Sequence, residues 1–496
     1  MIHRELFAAL VLCAAPVLGQ DDRWMKLLHG AGGPDLIGGV DQAPDSTYRT
    51  IVRYSTGATG VAVACGLDTN GDLLWWKPTS YSAGTLQCGL SRCVGVRADG
   101  TWLWVGALYP TGTTDLDVVV TCFSAEGDSL WTKQIATPIY DGPNGTVLLP
   151  DGGFAVAGFS DPGLNQFYLM RFADNGDTLW TRTLGNPQLS EMAYSIDTTA
   201  DGGFILAGYK VQTGGQYDMH VMKTDANGQL QWQRSYGSPW SDNVGFITRH
   251  SAGGYLLAGA RRLSAQDLPK PALYRLAEDG IAQWSQVYPE HGNRVFFTRP
   301  IEMGDGGCVV GGTASDTLTG TVLGMAMRLA VDGDPIWHRT YSTNNVLDQY
   351  VYDIRRTLDG GFILAGTAFD SALVSQDAWL VKVDSFGCLV PGCQVFDAVL
   401  EQVTDLRDAL RVWPNPVVAG GAVQVDLRLP AGFAARGALR LALTDAQGRL
   451  VQEETLPQAV SDFSFPLSAF PPGLYHVHLL DGSRWLSGTK VVVSPP

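Results

Sequence analysis

The 496-residue chain is short of charge. Asp, Glu, Lys and Arg make up 17% of it, against about a quarter in globular proteins generally. It also lacks a basic stripe. The 34 Lys and Arg are outnumbered by 49 Asp and Glu, and the formal charge of −15 is spread along the sequence. Nothing is therefore present to neutralise a phosphate backbone, which excludes nucleic acid as a partner. No apolar run reaches the ~18 residues that a membrane-spanning helix requires, so the mature chain is expected to have no transmembrane helix. There is no G-x-S-x-G, H-E-x-x-H or Walker loop, and no catalytic or cofactor-binding residue is assigned. The absence of CxxC removes zinc-ribbon and thioredoxin readings.

What is abundant is glycine, 59 residues in a chain that is 45% hydrophobic. This composition suits short strands joined by tight turns better than it suits helices. The length predicts at least two folded units. The first 19 residues read as a secretory signal: Arg4 is the basic end, Leu6 to Val17 the apolar stretch, and Val17-Leu18-Gly19 the small-residue cleavage site. A lipid-anchor reading through Cys13 is disfavoured by the bulky Leu12. Export makes disulfides permissible. Cys88 with Cys93, and Cys388 with Cys393, would each close a small loop and are the expected pairs, leaving Cys65, Cys122 and Cys308.

Self-similarity fixes the larger unit. The phrase Asp-Gly-Gly-aromatic-apolar-apolar-Ala-Gly stands at 151–158, 201–208 and 359–366, with degenerate copies at 252–259 and 305–312 and worn ones at 99–106 and 60–66. Each of the first six copies is followed by an apolar strand and then by an Asp-x-x-Gly-x-x-x-Trp unit, intact at Asp68 and Asp225 and with Ser or Ala in place of its Asp elsewhere. Trp75, Trp131, Trp180, Trp232, Trp284 and Trp337 are separated by 56, 49, 52, 52 and 53 residues. The seventh copy stops after Asp384 and Gly387, with Pro391 where a tryptophan is due. The missing strand stands at the other end, as Trp24 to Gly30. Four strands per ~50 residues, with an N-terminal strand completing the last unit, predict an all-β, seven-bladed β-propeller over 20–397. The phrase resembles the repeat of the delta-60-type, kelch-like family of secreted bacterial propellers. That resemblance implies a fold and says almost nothing of activity.

Residues 398–410 place Val399, Leu400, Val403, Leu406 and Leu410 at near-helical spacing, read as an amphipathic linker. From 411 to 496 the pattern changes to alternation. Val423, Val425, Leu427 and Leu429, then Leu439, Leu441 and Leu443, then Tyr475, Val477 and Leu479 predict a small Ig-like β-sandwich. Pro414-Asn415-Pro416, the Asp445–Arg449 turn with Gly448, Pro472-Gly473-Leu474-Tyr475 and the closing strand from Lys490 resemble, in order, the motifs of the type A sorting domain of the type IX secretion system. The resemblance implies that this secretion machinery is a partner. It implies passage across the outer membrane, an extracellular or outer cell-surface location, and removal of the domain.

Three constellations are candidates for chemistry. Asp68, Asn70 and Asp72 set oxygen ligands at alternate positions around a glycine and are calcium candidates. Recurrence of that turn and the lack of a bidentate Glu favour a self-capping Asx turn. The Asp-x-x-Gly-x-x-x-Trp series is read as packing. His476 and His478 share one strand face, expected to be exposed. The chain is thus read as a non-catalytic binding or scaffold propeller for a surface glycan or protein. Its ligand face would be built from loops 209–218, 261–271 and 313–321, with Pro239, Trp240 and Asp242. The alternative is a hydrolase or lyase whose carboxylates or His converge on the central channel.

Overall fold

The computed structural model describes residues 23–28, 35–55, 60–79, 84–88, 92–113, 115–137, 139–242, 244–288, 297–315, 321–343, 348–370, 375–389, 393, 401–402, 410–429, 438–445, 450–456, 462–466, 470–481 and 484–495. The signal peptide, Pro391 and Gly448 lie outside them, as does most of the linker. The chain is all-β, and most of its sheets are four-stranded and antiparallel.

The repeats fold one sheet at a time, and seven sheets succeed one another among the described residues. Sheet I is Leu36–Gln42, Tyr48–Ser55, Gly60–Leu67 and Leu73–Pro78. Sheet II sets Gly84–Cys88 and Val94–Val96 against Trp102–Pro110, followed by Asp117–Phe123 and Ser129–Ile135. Sheet III is Tyr140–Leu148, Phe154–Asp161, Gln166–Phe172 and Thr178–Leu184. Sheet IV is Glu191–Thr198, Phe204–Val211, Tyr217–Thr224 and Leu230–Tyr236. Sheet V is Phe246–Arg249, Tyr255–Arg261, Lys270–Leu276 and Ala282–Val287. Sheet VI is Ile301–Glu302, Cys308–Ser315, Val322–Leu329 and Pro335–Ser342. Sheet VII is Asp348–Arg356, Phe362–Asp370 and Ser375–Val383, and its outer strand is Trp24–Leu28, paired from Trp24 opposite Lys382 to Leu28 opposite Ala378.

The glycines of the repeated phrase have separate causes. Gly202 sits at φ 80°, where an L side chain is strained. A Cβ on Gly203 would collide with the carbonyl of Thr224, and one on Gly208 with that of Met192. The Asp of the phrase ties the turn to the third strand, as in Asp201–Lys223 at 2.5 Å and Asp359–Lys382 at 2.6 Å.

Each middle strand is buried on both faces because alternate residues serve different cores. On one strand of sheet IV, Ile205 and Ala207 join Ile247, Tyr255 and Leu257 of sheet V. Phe204 and Leu206 of the same strand join Phe167 and Leu169 of sheet III. The series returns on itself: Trp24, Ile363 and Leu380 of sheet VII share a core with Val40, Val52 and Val63 of sheet I.

Two described residues of the predicted linker pair as a short strand. Glu401–Gln402 run parallel to Tyr341–Ser342 at the edge of sheet VI, where an extended pair of residues supplies backbone hydrogen bonds to an open edge. Beyond it, two sheets share one core. Leu410–Trp413, Ala422–Leu427 and Asp462–Pro466 form the smaller. The larger runs Val417–Val418, Arg484–Ser494, Gly473–Asp481, Leu439–Asp445 and Leu450–Thr455. Val423, Val425, Leu441, Leu443, Val477 and Leu479 meet between them.

Candidate functional site

The tryptophan series forms an inter-sheet clasp. Trp24, Trp75, Trp131, Trp180, Trp232, Trp284 and Trp337 lie against Gly71, Gly127, Gly176, Gly228, Gly280, Gly333 and Gly387, each the turn glycine of the following sheet, and a Cβ on any of them would come closer than 3.0 Å to an indole. Two residues beyond the tryptophan a basic side chain repeats the link: Lys26–Asp72 at 2.7 Å, Lys77–Asp128 at 2.6 Å and Lys133–Asp177 at 2.9 Å. These turns are structural in their geometry. Asp68 Oδ1 accepts the backbone N–H groups of Asn70 and Asp72, both at 2.8 Å, while the Asp72 carboxylate takes the Lys26 ammonium. One oxygen of Asp68 is thus committed to the backbone and one of Asp72 to a cation of the chain itself.

On the opposite end of the sheets, three segments singled out in the sequence meet at Asp242. Its Oδ2 accepts from Ser238 N at 2.5 Å, its Oδ1 from Ser238 Oγ at 3.0 Å and from Arg262 N at 2.6 Å, and its own N–H donates to Tyr217 O at 2.7 Å. One residue therefore ties three segments: its carboxylate holds the connection through Trp240 and the loop after Arg261, and its backbone N–H holds the end of the loop after Tyr209. Beside it runs a ladder of rings. Tyr194 and Tyr209 have centroids 6.1 Å apart, Tyr209 and Tyr217 5.3 Å, and Tyr194 and Phe246 6.2 Å. Tyr217 is 45% exposed. Burial raises Asp242 and also Asp218, which feels the Asp242 charge as well. Gln212 Nε2 donates to Asp218 Oδ2 at 2.6 Å. A second aromatic group, Tyr109, Tyr140 and Phe159, stands at the junction of sheets II and III, with the two hydroxyls 2.6 Å apart. Residues 316–320 of the third loop lie outside the described residues.

The first strands bring charge together toward the middle of the ring, at positions that the repeat does not reveal. Arg299 of the segment entering sheet VI pairs with Asp197 of sheet IV at 2.5 Å. Arg355 of sheet VII pairs with Asp353 at 3.2 Å and donates to Val94 O of sheet II at 2.7 Å. Asp41 Oδ2 accepts from Val96 N at 3.0 Å. Burial alone would raise Asp197, but Arg299, Arg92 and the N–H of Arg249 outweigh it and hold the carboxyl below its usual range.

His476 and His478 are not on an exposed face. They are 6% and 1% exposed, and His478 Nε2 lies 3.1 Å from Thr444 Oγ1. Alternation correctly separates them from Tyr475, Val477 and Leu479, but their own face is covered too, with Thr444, Asp481 and Ser487 also buried. The sorting residues have visible work. Asn415 Nδ2 donates to Lys490 O at 2.7 Å and Asn415 Oδ1 accepts from Val492 N at 2.9 Å, so its amide pairs with the last strand as a backbone would. Pro414 and Pro416 flank it, both after cis peptides. Gly473 opens the strand on which the Tyr475 hydroxyl donates to Pro471 O at 2.9 Å. Cys388 and Cys393 form a disulfide with Cα atoms 5.5 Å apart. The Cys88 side chain lies outside the described residues, and the Cys93 sulfur is 4.0 Å from Asn144 O.

No curated protein is similar to the chain in sequence. Among solved structures, it is similar to the BP39L lectin from Burkholderia pseudomallei, with 10% identity, 72% of this chain and 97% of that chain covered, and a TM-score of 0.47. It is also similar to the β-propeller domain of the Trilobed protease from Pyrococcus furiosus, with 8% identity, 71% and 97% covered, and a TM-score of 0.39. Residues 411–494 match the secretion system C-terminal sorting domain, so the last part of this chain is a type IX sorting domain and the protein that carries it is exported.

Proposed function

We propose that the protein is a non-catalytic, surface-displayed binding propeller of seven kelch-like blades, delivered by an Ig-like sorting domain that is removed after export. The signal peptide would end at Gly19, the propeller would span 20–397, and the ligand would be a glycan held on the Asp242 rim. The observation that carries this reading is the ladder Tyr194–Tyr209–Tyr217 beside Asp218 and Asp242. Flat aromatic faces cover the apolar face of a sugar ring, and the half-buried Asp218 carboxylate beside them accepts its hydroxyls, while buried Asp242 holds the loops in place. Three segments locked by one residue form a preorganised surface, which lowers the ordering cost of binding.

A channel hydrolase is the less favoured reading. Asp197 and Asp353 do converge on the middle of the ring, but each is bound to an arginine. Asp197 is held anionic rather than raised toward the neutral form that a general acid needs.

The test is a glycan array with the mature full-length protein, run with and without calcium. Reproducible binding that Tyr217→Ala removes, with circular dichroism unchanged, is the expected result. A blank array, with binding appearing only against surface proteins, would move the rim to a protein ligand.

A further inference from the structure

We propose that the sorting domain is docked on the flank of the propeller, with the outward face of its larger sheet seated beside the outer strand of sheet VI. This contact does not depend on what the rim binds.

The face of a sandwich sheet that points away from the core normally meets water. On the smaller sheet it does: Arg411, Trp413, Ala422 and Gln424 are exposed. The larger sheet behaves differently. Its strands Leu439–Asp445 and Gly473–Asp481 turn Ala442, Thr444, His476, His478 and Leu480 away from the core, yet all five are buried, four of them at 1% exposure or less. Ala442 and Leu480 form an apolar contact of their own, outside the sandwich core. The cover has an edge. Glu453 stands opposite Ala442, and Thr455 opposite Arg440, on this same face, and both are exposed. What covers the face therefore comes from the other side of the sheet, over Arg484–Ser494.

On that side stands the linker strand. Glu401–Gln402 lies beside Arg484–Ser494 and is paired with Tyr341–Ser342 of sheet VI, so it has both units as neighbours. The chain is pinned to the same outer strand just before this point. Arg339 Nε donates to Cys393 Sγ at 3.1 Å, Cys393 is joined to Cys388, and the Tyr341 hydroxyl donates to Gly387 O at 2.8 Å. Only residues 403–409 separate this anchor from Leu410, which is already in the sandwich core. So short a tether holds the two surfaces at an effective concentration of about millimolar, where a modest contact suffices. The charge distribution agrees. Arg23, at the head of the closing strand and bound to Asp384 at 2.7 Å, is a propeller group whose charge, after burial and His476, bears on His478.

The experiment is diethyl pyrocarbonate labelling of the mature full-length protein at pH 7, read by peptide mass spectrometry at His476 and His478. His220, buried in sheet IV, is the internal standard for an intact propeller. In the parent both sorting-domain histidines should be labelled as slowly as His220. Glu401→Pro together with Gln402→Pro breaks the pairing with sheet VI from outside both folded units, so its effect cannot come from an unfolded sandwich. It should raise labelling of His476 and His478 about tenfold or more while His220 stays protected. Ala442→Arg, which puts a cation into the contact, should do the same. An unchanged rate in the double-proline variant would mean that the sorting domain covers the face with its own loops, and would overturn the proposal. Protection that the parent loses on dilution would give the face to a second copy of the chain and would overturn it too.

Discussion

The Trp24 ring lies against the α-carbon of Gly71, so close that a methyl group there would stand 2.6 Å from the indole. Trp24 belongs to sheet VII and Gly71 to sheet I, and Trp24 Nε1 also donates to Thr69 O at 2.8 Å. One residue thus completes the last sheet and grips the first. Trp24→Ala is expected to destabilise the propeller by about 3–5 kcal/mol, the usual cost of emptying a buried tryptophan site. Urea denaturation followed by intrinsic fluorescence measures it, and a loss below ~1 kcal/mol would mean that the clasp contributes little.

The glycines that receive tryptophans should be less replaceable than other glycines with the same backbone. Gly202 (φ 80°) has open space where a Cβ would go, whereas Gly127 (φ 82°) has the Trp75 ring there. Gly202→Ala should cost the conformational term alone, about 1 kcal/mol. Gly127→Ala adds a steric clash inside the fold and should cost at least twice that. Equal melting temperatures for the two variants would refute the packing account.

Acid should loosen the chain through its buried histidines. Burial, then His476 and Arg23, push His478 down to about 3, and burial, then Lys210, push His220 down to about 4. Both are neutral when folded, and the unfolded chain takes up protons below its ordinary histidine value near 6.5. The stability from each is therefore fully present above about pH 6.5 and is lost as the pH falls toward 4 and then 3, by at most ~1.4 kcal/mol per pH unit per histidine. Denaturant midpoints at pH 7.5, 5.5 and 4.5 should fall in that order. His478→Asn should flatten the slope, and an unchanged slope would mean that this face opens before the histidine titrates.

Alkylation separates the cysteines. Burial pushes the Cys65 and Cys308 thiols up to about 12, so neither should react with iodoacetamide in the native protein at pH 8. Cys388 and Cys393 should react only after reduction. Peptide mass spectrometry reads all four, and native labelling of Cys65 would contradict the packing between sheets VII and I.

Export should shorten the protein. Mass spectrometry of the surface-attached form is expected to find a C-terminus between residues 398 and 412. An intact Pro496 there would count against removal of the sorting domain.

Repetition made most of the architecture legible. Asp201-Gly202-Gly203 is a turn whichever sheet surrounds it, and Trp232 has six counterparts, so the ring could be read by counting. The Asp242 rim was half legible, because Tyr209, Trp240 and Asp242 lie in the variable connections, although the hydrogen bonds that join them do not follow from their order. The axis was not legible. Arg299 and Arg355 occupy different offsets from their turns, and a repeat conceals whatever differs between its copies. His476 and His478 failed for another reason: alternation assigns a residue to one face of its own sheet and is silent about what covers that face.

The outer strand of sheet VII begins at Trp24, four residues past the expected cleavage site, while its partner strand ends at Val383. The two ends of the ring are therefore made at the opposite ends of synthesis. A chain interrupted before its last sheet leaves the Trp24 strand without its partner and the preceding sheet with an uncovered apolar face, which invites aggregation and proteolysis. The closure thus acts as an inspection of completeness, and only a full-length product presents a finished ring together with the tail that authorises its passage outward.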